Sequence, residues 1–142
     1  MQHTVQRVRE LYRNPKYNCA RIMLTCLGEA FGTPADPQSL QAAGRMDGSG
    51  NFHAPCGLAA GALLFIGLMG PRSGKNAEDV EKLYYRFTEA FTARFGSLLC
   101  RDLRPGGFRP SDPSHVCGDL IIDAVNFTEE FLKHSDMLPT QG

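Results

Sequence analysis

Residues 56–68 constrain the fold of this chain most, because they are apolar on nearly every side. Such a segment has to be buried all round, either as a central helix or as a strand inside a sheet. Its length and its alanine and leucine content favour the helix. The longest apolar run, residues 57–70, is too short to span a bilayer, which takes about 20 residues. We therefore expect a buried central helix and no membrane insertion.

The rest of the sequence predicts further helices around this central one. Apolar residues recur at helical spacing in several segments, and the cap residues Asn18 and Asp112 precede two of them. Gly70 and Pro71 are expected to end the central helix. The surrounding helices are predicted at residues 4–14, 18–31, 38–43, 76–95 and 112–134. The most regular apolar stripe consists of Val80, Leu83, Tyr84, Phe87, Phe91 and Phe95.

These patterns predict an all-α fold. No segment has the pattern of a strand, so we expect a single-domain bundle of about five helices around a buried, glycine-rich central helix. The domain would span residues 1–142, with its core at about residues 4–134 and a loose tail from Asp136. Residues 44–55 are expected to form a loop, and their glycine spacing is not that of a phosphate-binding loop.

Composition and charge exclude several classes of function. The chain of 142 residues is 42% hydrophobic and 21% charged, which is typical of a globular domain and not of a disordered chain. Its 15 basic residues are balanced by 15 acidic ones, so it lacks the positive excess expected of a nucleic-acid-binding protein. The polar start of the chain predicts that there is no export signal, and therefore a cytoplasmic location.

Five cysteines remain, and four of them fall at the edges of predicted helices. Cys19, Cys56 and Cys117 lie near helix N-termini, where backbone N–H groups and the helix dipole favour thiolate over thiol. Cys100 follows the helix that ends near residue 95. Spacing alone leaves metal binding, redox chemistry and simple burial of small side chains open. Cys26 lies two turns after Cys19 among apolar residues, which predicts a packing role.

The sequence around the four cysteines resembles the redox-active protein family named for its C-GCAxxG-C-C arrangement. The resemblance covers about residues 11–131. Leu58 stands where the family usually has alanine, while both glycines of that motif are present. The segments that carry the resemblance are Tyr17-Asn18-Cys19-Ala20, Cys56-Gly57-Leu58-Ala59-Ala60-Gly61, Phe95-Gly96-Ser97 and Cys100-Arg101-Asp102-Leu103. The family's four cysteines correspond to Cys19, Cys56, Cys100 and Cys117.

The resemblance implies a small helical redox protein, similar to domains of split-Soret-type cytochromes that are associated with an iron–sulfur cluster. On this hypothesis the four matched cysteines hold a 2Fe–2S or 4Fe–4S cluster for electron transfer, since both cluster types require four ligands of this kind. Gly57 and Gly61 would let a cofactor or another backbone approach closely. The chain has no Cys-x-x-Cys-His motif, so covalently bound haem is not expected.

Three other functions remain open from the sequence. A metal-free thiol–disulfide oxidoreductase would use Cys19 or Cys56 as the attacking thiolate and one of the other two cysteines to resolve the mixed disulfide. A structural zinc site would use the four thiolates, and His53 or His115 could replace one, although solvated histidines are the simpler interpretation. A helical interaction module would use the aromatic stripe as its surface, although helical spacing favours a core role.

Several residues near the cysteines could assist a redox centre. Arg21 and Arg101 could raise its potential electrostatically, although solvated surface charge is the simpler interpretation. Asp102 and Asp119 are expected to cap helices. The partner is expected to be another redox protein, of unknown identity. The apolar central helix could also pack between two chains, which would place the centre near the boundary of a homodimer.

Overall fold

The computed structural model describes residues 2–14, 16–44, 46, 55–103 and 118–135. These ranges form an all-α bundle, as predicted, and within them the only β-type pairing is an isolated antiparallel bridge between Pro55 and Leu99. The helices in the described ranges are α1 (Gln2–Tyr12), α2 (Cys19–Ala30), α3 (Pro37–Ala43), α4 (Gly57–Arg72), α5 (Ala77–Phe95), α6 (Cys100–Leu103) and α7 (Gly118–Lys133).

The central pair of the bundle is α2 and α4, which share its most extensive helix contact. A Cβ atom at Gly61 of α4 would lie 2.6 Å from the carbonyl oxygen of Ala20 in α2. Further along, the ring centroids of Phe31 and Phe65 are 5.7 Å apart. Because the contacts follow the same order in both helices, α2 and α4 run in the same direction. Their N-termini therefore lie at the same end of the bundle.

Helix α5 returns along α4 in the opposite direction. Val80 packs on Gly70 near the turn between the helices, and Tyr84 packs on Gly67 one turn further along. Residue numbers thus rise along α5 as they fall along α4. The C-terminus of α5 consequently lies at the end of the bundle where α4 begins, and Gly96 closes it there with a φ of 91° in the left-handed region.

Helix α7 packs on α5 through phenylalanine rings. The centroids of Phe127 and Phe95 are 5.6 Å apart, and those of Phe131 and Phe87 are 5.5 Å apart. This reversed order makes α7 antiparallel to α5. Helix α7 therefore begins at the same end of the bundle as α2 and α4, and it also contacts α1 and α2 along its length.

Where the structure describes them, the predicted helix bounds agree with it to within two residues, and the central helix differs in how it ends. Gly70 and Pro71 do not end α4, which continues to Arg72. A proline inside a helix removes the hydrogen bond to the residue four before it, and its ring crowds that carbonyl, so its effect falls on the preceding turn and not on the residue that follows. The N–H of Ser73 then donates to the carbonyls of Met69 and Gly70, both at 3.0 Å. The predicted loop at residues 44–55, the Asp112 cap and the tail from residue 136 lie wholly or mostly outside the described residues.

Asn18 caps α2 and attaches its start to α3. Its Oδ1 accepts a hydrogen bond from the Arg21 N–H at 3.0 Å, and its Nδ2 donates to the Ala43 carbonyl at 2.9 Å. Asn18→Ala should lower the free energy of unfolding by about 2 kcal/mol, about 1 for the cap and about 1 for the second bond. Asn18→Asp keeps the cap acceptor and should cost about half as much. Urea unfolding tests this, and equal losses would contradict it.

Candidate functional site

Cys19 lies where α2 meets α4. It is the first residue of α2, directly after the cap Asn18, and it is only 6% exposed. The next residue, Ala20, is in contact with Gly61 through its backbone. The absence of a side chain at Gly61 is what allows this approach, so one of the two roles expected for that glycine, close approach of another backbone, is observed. The start of α2 is thereby held against the first turns of α4.

Cys56 connects the start of α4 to the segment that follows α5. It is the N-cap residue of α4 and is 5% exposed. Its carbonyl accepts the N–H of Ala60 at 3.0 Å, which is the first bond of the helix. Its own N–H donates to the Leu98 carbonyl at 2.7 Å. Gly57, the next residue, is buried.

Cys100 is brought close to Cys56 by the antiparallel bridge between Pro55 and Leu99. It is the first residue of the short helix α6. In the register of this bridge Cys56 and Cys100 are diagonal neighbours, a relation in which Cα atoms are typically about 7–8 Å apart. Cα atoms joined by a disulfide are usually closer, at about 5–6 Å. The Cα atoms of diagonal neighbours are thus typically farther apart than those of a disulfide.

Three of the four described cysteine positions converge at one end of the bundle. Cys19, Cys56 and the backbone of Cys100 all lie there, and α7 begins at the same end with Gly118. Cys117, together with His53 and His115, lies outside the described residues. Within the described part of the chain, no three His, Cys, Asp or Glu side chains form a group that could hold a metal ion. That part includes neither Cys117 nor the side chain of Cys100.

Cys26 is a core residue, as the sequence predicts. It is 5% exposed, and burial is the main reason that the pKa of its thiol rises to about 12. The negative charges of Glu29 and Glu129 raise this pKa further. Since the thiolate is the reactive form, Cys26 is poorly suited to attack a disulfide or bind a metal.

We expect Cys26 to resist alkylation in the folded protein. At pH 8 a pKa of about 12 leaves only about one thiol in ten thousand ionised. Iodoacetamide should therefore leave Cys26 unmodified in buffer and label it fully in concentrated urea, as judged by mass spectrometry of tryptic peptides. Labelling in buffer at the rate of an unfolded cysteine would contradict this prediction.

Two charged residues near the cysteines have structural partners. Arg21 is half-buried and donates to the carbonyls of Leu40 and Lys16, both at 2.8 Å, so the expectation of a solvated surface charge was wrong. It attaches α2 to α3 and to the turn that precedes α2. Asp102 lies in the first turn of α6 and accepts a hydrogen bond from the Ser97 hydroxyl at 2.8 Å. Ser97 stands in the Phe95-Gly96-Ser97 segment of the resemblance, but its hydrogen bond to Asp102 was not expected, although the spacing fits a serine that braces a turn.

The centre of the aromatic stripe belongs to the core, as its helical spacing predicts. Phe87 and Phe91 have no exposed area, and they pack against Phe127 and Phe131 of α7. An apolar groove of about 460 Å³ lies along α4 from Ala60, one turn after Cys56, and Tyr84 of the stripe is part of its lining. The groove is lined by Ser39, Ala42, Met46, Ala60, Leu63, Leu64, Gly67, Leu68 and Tyr84.

Comparison with known families agrees with the cysteine arrangement. The model of a family described as "Putative redox-active protein (C_GCAxxG_C_C)" matches residues 17–131. The chain belongs to this family. The matched range contains Cys19, Cys56, Cys100 and Cys117, together with the bridge at Pro55 that joins two of their segments. Searches of the curated proteins and of the solved structures found no match.

The family assignment makes this a redox-active protein of helical fold. Among the described helices, none is both long enough and apolar enough to cross a membrane. Cys26 also lies in the matched range, but its raised pKa separates it chemically from a redox role.

Proposed function

We propose that this protein is an electron-transfer protein that holds an iron–sulfur cluster on Cys19, Cys56, Cys100 and Cys117. The observation that carries the proposal is the convergence, at one end of the bundle, of three cysteine positions and the start of α7. Four cysteine ligands are the number that 2Fe–2S and 4Fe–4S clusters require. The redox character of the family supports the same chemistry.

The local electrostatics suit a negatively charged sulfur site. Helices α2 and α4 both begin at this end of the bundle, at or directly after Cys19 and Cys56. The positive ends of these helix dipoles stabilise thiolates and the negative charge of a cluster. A bound cluster would supply one-electron chemistry. The chain would hold it on buried ligands and keep water away, since neither Cys19 nor Cys56 is more than 6% exposed.

Two alternatives from the sequence would use the same cysteines. Disulfide exchange between Cys56 and Cys100 would need Cα atoms closer than the diagonal register of their segments usually allows. Structural zinc would use the same four thiolates, so the donor set does not separate it from a cluster. The visible spectrum distinguishes the two, because a zinc site does not absorb visible light, whereas an iron–sulfur cluster is brown.

The decisive experiment is metal analysis of protein purified without oxygen. We expect bound iron and acid-labile sulfide in equal amounts and little zinc. The protein should also show the broad visible absorption that sulfur-to-iron charge transfer produces. Protein that contains no metal after purification would be reconstituted with ferrous iron and sulfide before analysis. A colourless protein with stoichiometric zinc would contradict the cluster, as would one that binds neither metal after reconstitution.

Cys19 and Cys26 provide a matched pair of variants. Both lie in α2, two turns apart, and both are buried to nearly the same degree. Alanine at either position removes a buried sulfur of similar size, so the effects on folding should be alike. Cys19→Ala should lose most of the iron, and Cys26→Ala should retain it. Equal iron contents in the two variants would overturn the assignment of Cys19 as a ligand.

A further inference from the structure

The segment that carries Cys100 is braced by two side chains that the proposed function does not use. The Leu99 N–H donates to Ser97 Oγ at 2.9 Å, and the Ser97 hydroxyl donates to Asp102 Oδ2 at 2.8 Å. The Asp102 N–H in turn donates to the Leu99 carbonyl at 3.0 Å. Cys100 lies between Leu99 and Asp102, so these three hydrogen bonds enclose its backbone.

The same segment is attached to the start of α4 on its other side. The Leu98 carbonyl accepts the N–H of Cys56, and Leu99 forms the bridge with Pro55. The hydrogen bonds of Ser97 and Asp102 therefore hold the backbone of Leu99 and Cys100 on one side, and the bridge to Pro55 holds it on the other. The separation of Cys56 and Cys100 depends on both attachments.

We propose that Ser97 and Asp102 are positioning residues that hold Cys100 at the separation from Cys56 at which both thiols bind one centre. The inference rests on the proposed function only in assigning these two cysteines to a common site. The Ser97 hydroxyl has a single proton, which it gives to Asp102 while its oxygen accepts from Leu99. An acceptor at position 102 is therefore required, and its negative charge is not.

The test replaces the cluster with a reagent that binds two neighbouring thiols of the protein. In the full-length chain, Cys19, Cys26 and Cys117 are replaced by alanine, which leaves Cys56 and Cys100. Phenylarsine oxide joins two neighbouring thiols: two S–H bonds and the arsenic–oxygen bond break, two As–S bonds form, and the oxygen leaves with both protons as water. No atom changes oxidation state. The affinity for the reagent thus reports how well the two thiols are held together.

We expect Ser97→Ala and Asp102→Ala each to weaken the binding of phenylarsine oxide about tenfold, because each breaks the bond that braces the turn. Asp102→Asn keeps an acceptor oxygen for Ser97 and should bind within about twofold of the parent. Glu89→Ala, at an exposed position of α5, should have no effect. Glu89 and Asp102 are exposed, so the unfolding midpoints of their variants should change little, and a general loss of stability would not reproduce this order.

Two results would overturn the proposal. Either Ser97→Ala binds the reagent as tightly as the parent, or Asp102→Asn loses as much affinity as Asp102→Ala. If the parent with two cysteines does not fold, the wild-type chain carries the test through protection from alkylation. Bound phenylarsine oxide should protect Cys56 and Cys100 together, and Ser97→Ala should reduce that shared protection. An unchanged protection pattern would refute the proposal.

This experiment is independent of the iron measurement. A protein that binds no iron but shows the expected order of arsenical affinities would refute the cluster and retain the positioning role. A protein that binds iron, but whose variants all bind phenylarsine oxide equally well, would support the cluster and refute the positioning role.

Discussion

Replacement of Phe91 by alanine should lower the free energy of unfolding by about 4 kcal/mol. The Phe91 ring has no exposed area, and its centroid lies 4.7 Å from that of Phe95 and 6.3 Å from that of Phe127. Truncation leaves a cavity between α5 and α7 that neighbouring rings cannot fill without leaving their own contacts. Denaturant unfolding followed by circular dichroism would measure the loss.

The control for Phe91 is Tyr85 on the same helix. Its side chain is 71% exposed, so Tyr85→Ala removes an aromatic ring without opening a cavity and should change stability by less than about 0.5 kcal/mol. If both variants lost the same stability, the effect would come from helix propensity and not from packing. The Phe91 variant should also bind less iron, because the rings of α5 and α7 set where α7 begins.

Gly61→Ala should lower the free energy of unfolding by about 2–3 kcal/mol although it adds only one methyl group. The new Cβ would lie 2.6 Å from the Ala20 carbonyl oxygen and 3.1 Å from the Met23 Cβ. A backbone atom has no rotamer by which to move away, so α2 and α4 must separate. Since Cys19 precedes Ala20, we also expect the iron content to fall.

Gly67→Ala is the matched control in the same helix. Its Cβ would meet only the hydroxyl end of Tyr84, and this flexible side chain can move. Alanine is also favoured over glycine inside a helix by about 0.5–1 kcal/mol, so this variant should be as stable as the wild type or slightly more so. Thermal unfolding of both variants tests the contrast. A Gly61→Ala protein as stable as Gly67→Ala would show that α2 and α4 do not depend on close backbone approach.

Local signals in the sequence predicted most helices well. Asn18 and Asn76 begin α2 and α5, with side chains that accept from the N–H groups of Arg21 and Asp79. Gly96 ends α5 in a left-handed conformation. These features act over three or four residues, so the sequence contains all the information they need. The end of α4 was expected at Gly70 and Pro71, but a proline disturbs the turn that precedes it and does not prevent the next residue, Arg72, from remaining helical.

The candidate site was only partly predictable. The pattern around Cys19, Cys56, Cys100 and Cys117 predicts that these four cysteines carry the chemistry, and periodicity separates Cys26 from them. The partners of charged and polar side chains were not predictable. Arg21 bonds to carbonyls on α3 and in the preceding turn, and neither is recognisable as an acceptor from residue type.

The sequence by itself determined the helices, their capped ends, their buried faces and the cysteines at their edges, because hydrogen bonds within a turn and a period of 3.6 residues are local properties. The tertiary structure alone decided which helix ends meet. Cys19 and Cys100 are separated from Cys56 by 37 and 44 residues. They come together because the backbones of α2 and α4 approach at Gly61, and because Leu99 pairs with Pro55. Both contacts require the packed bundle, since neither partner specifies the other through local sequence.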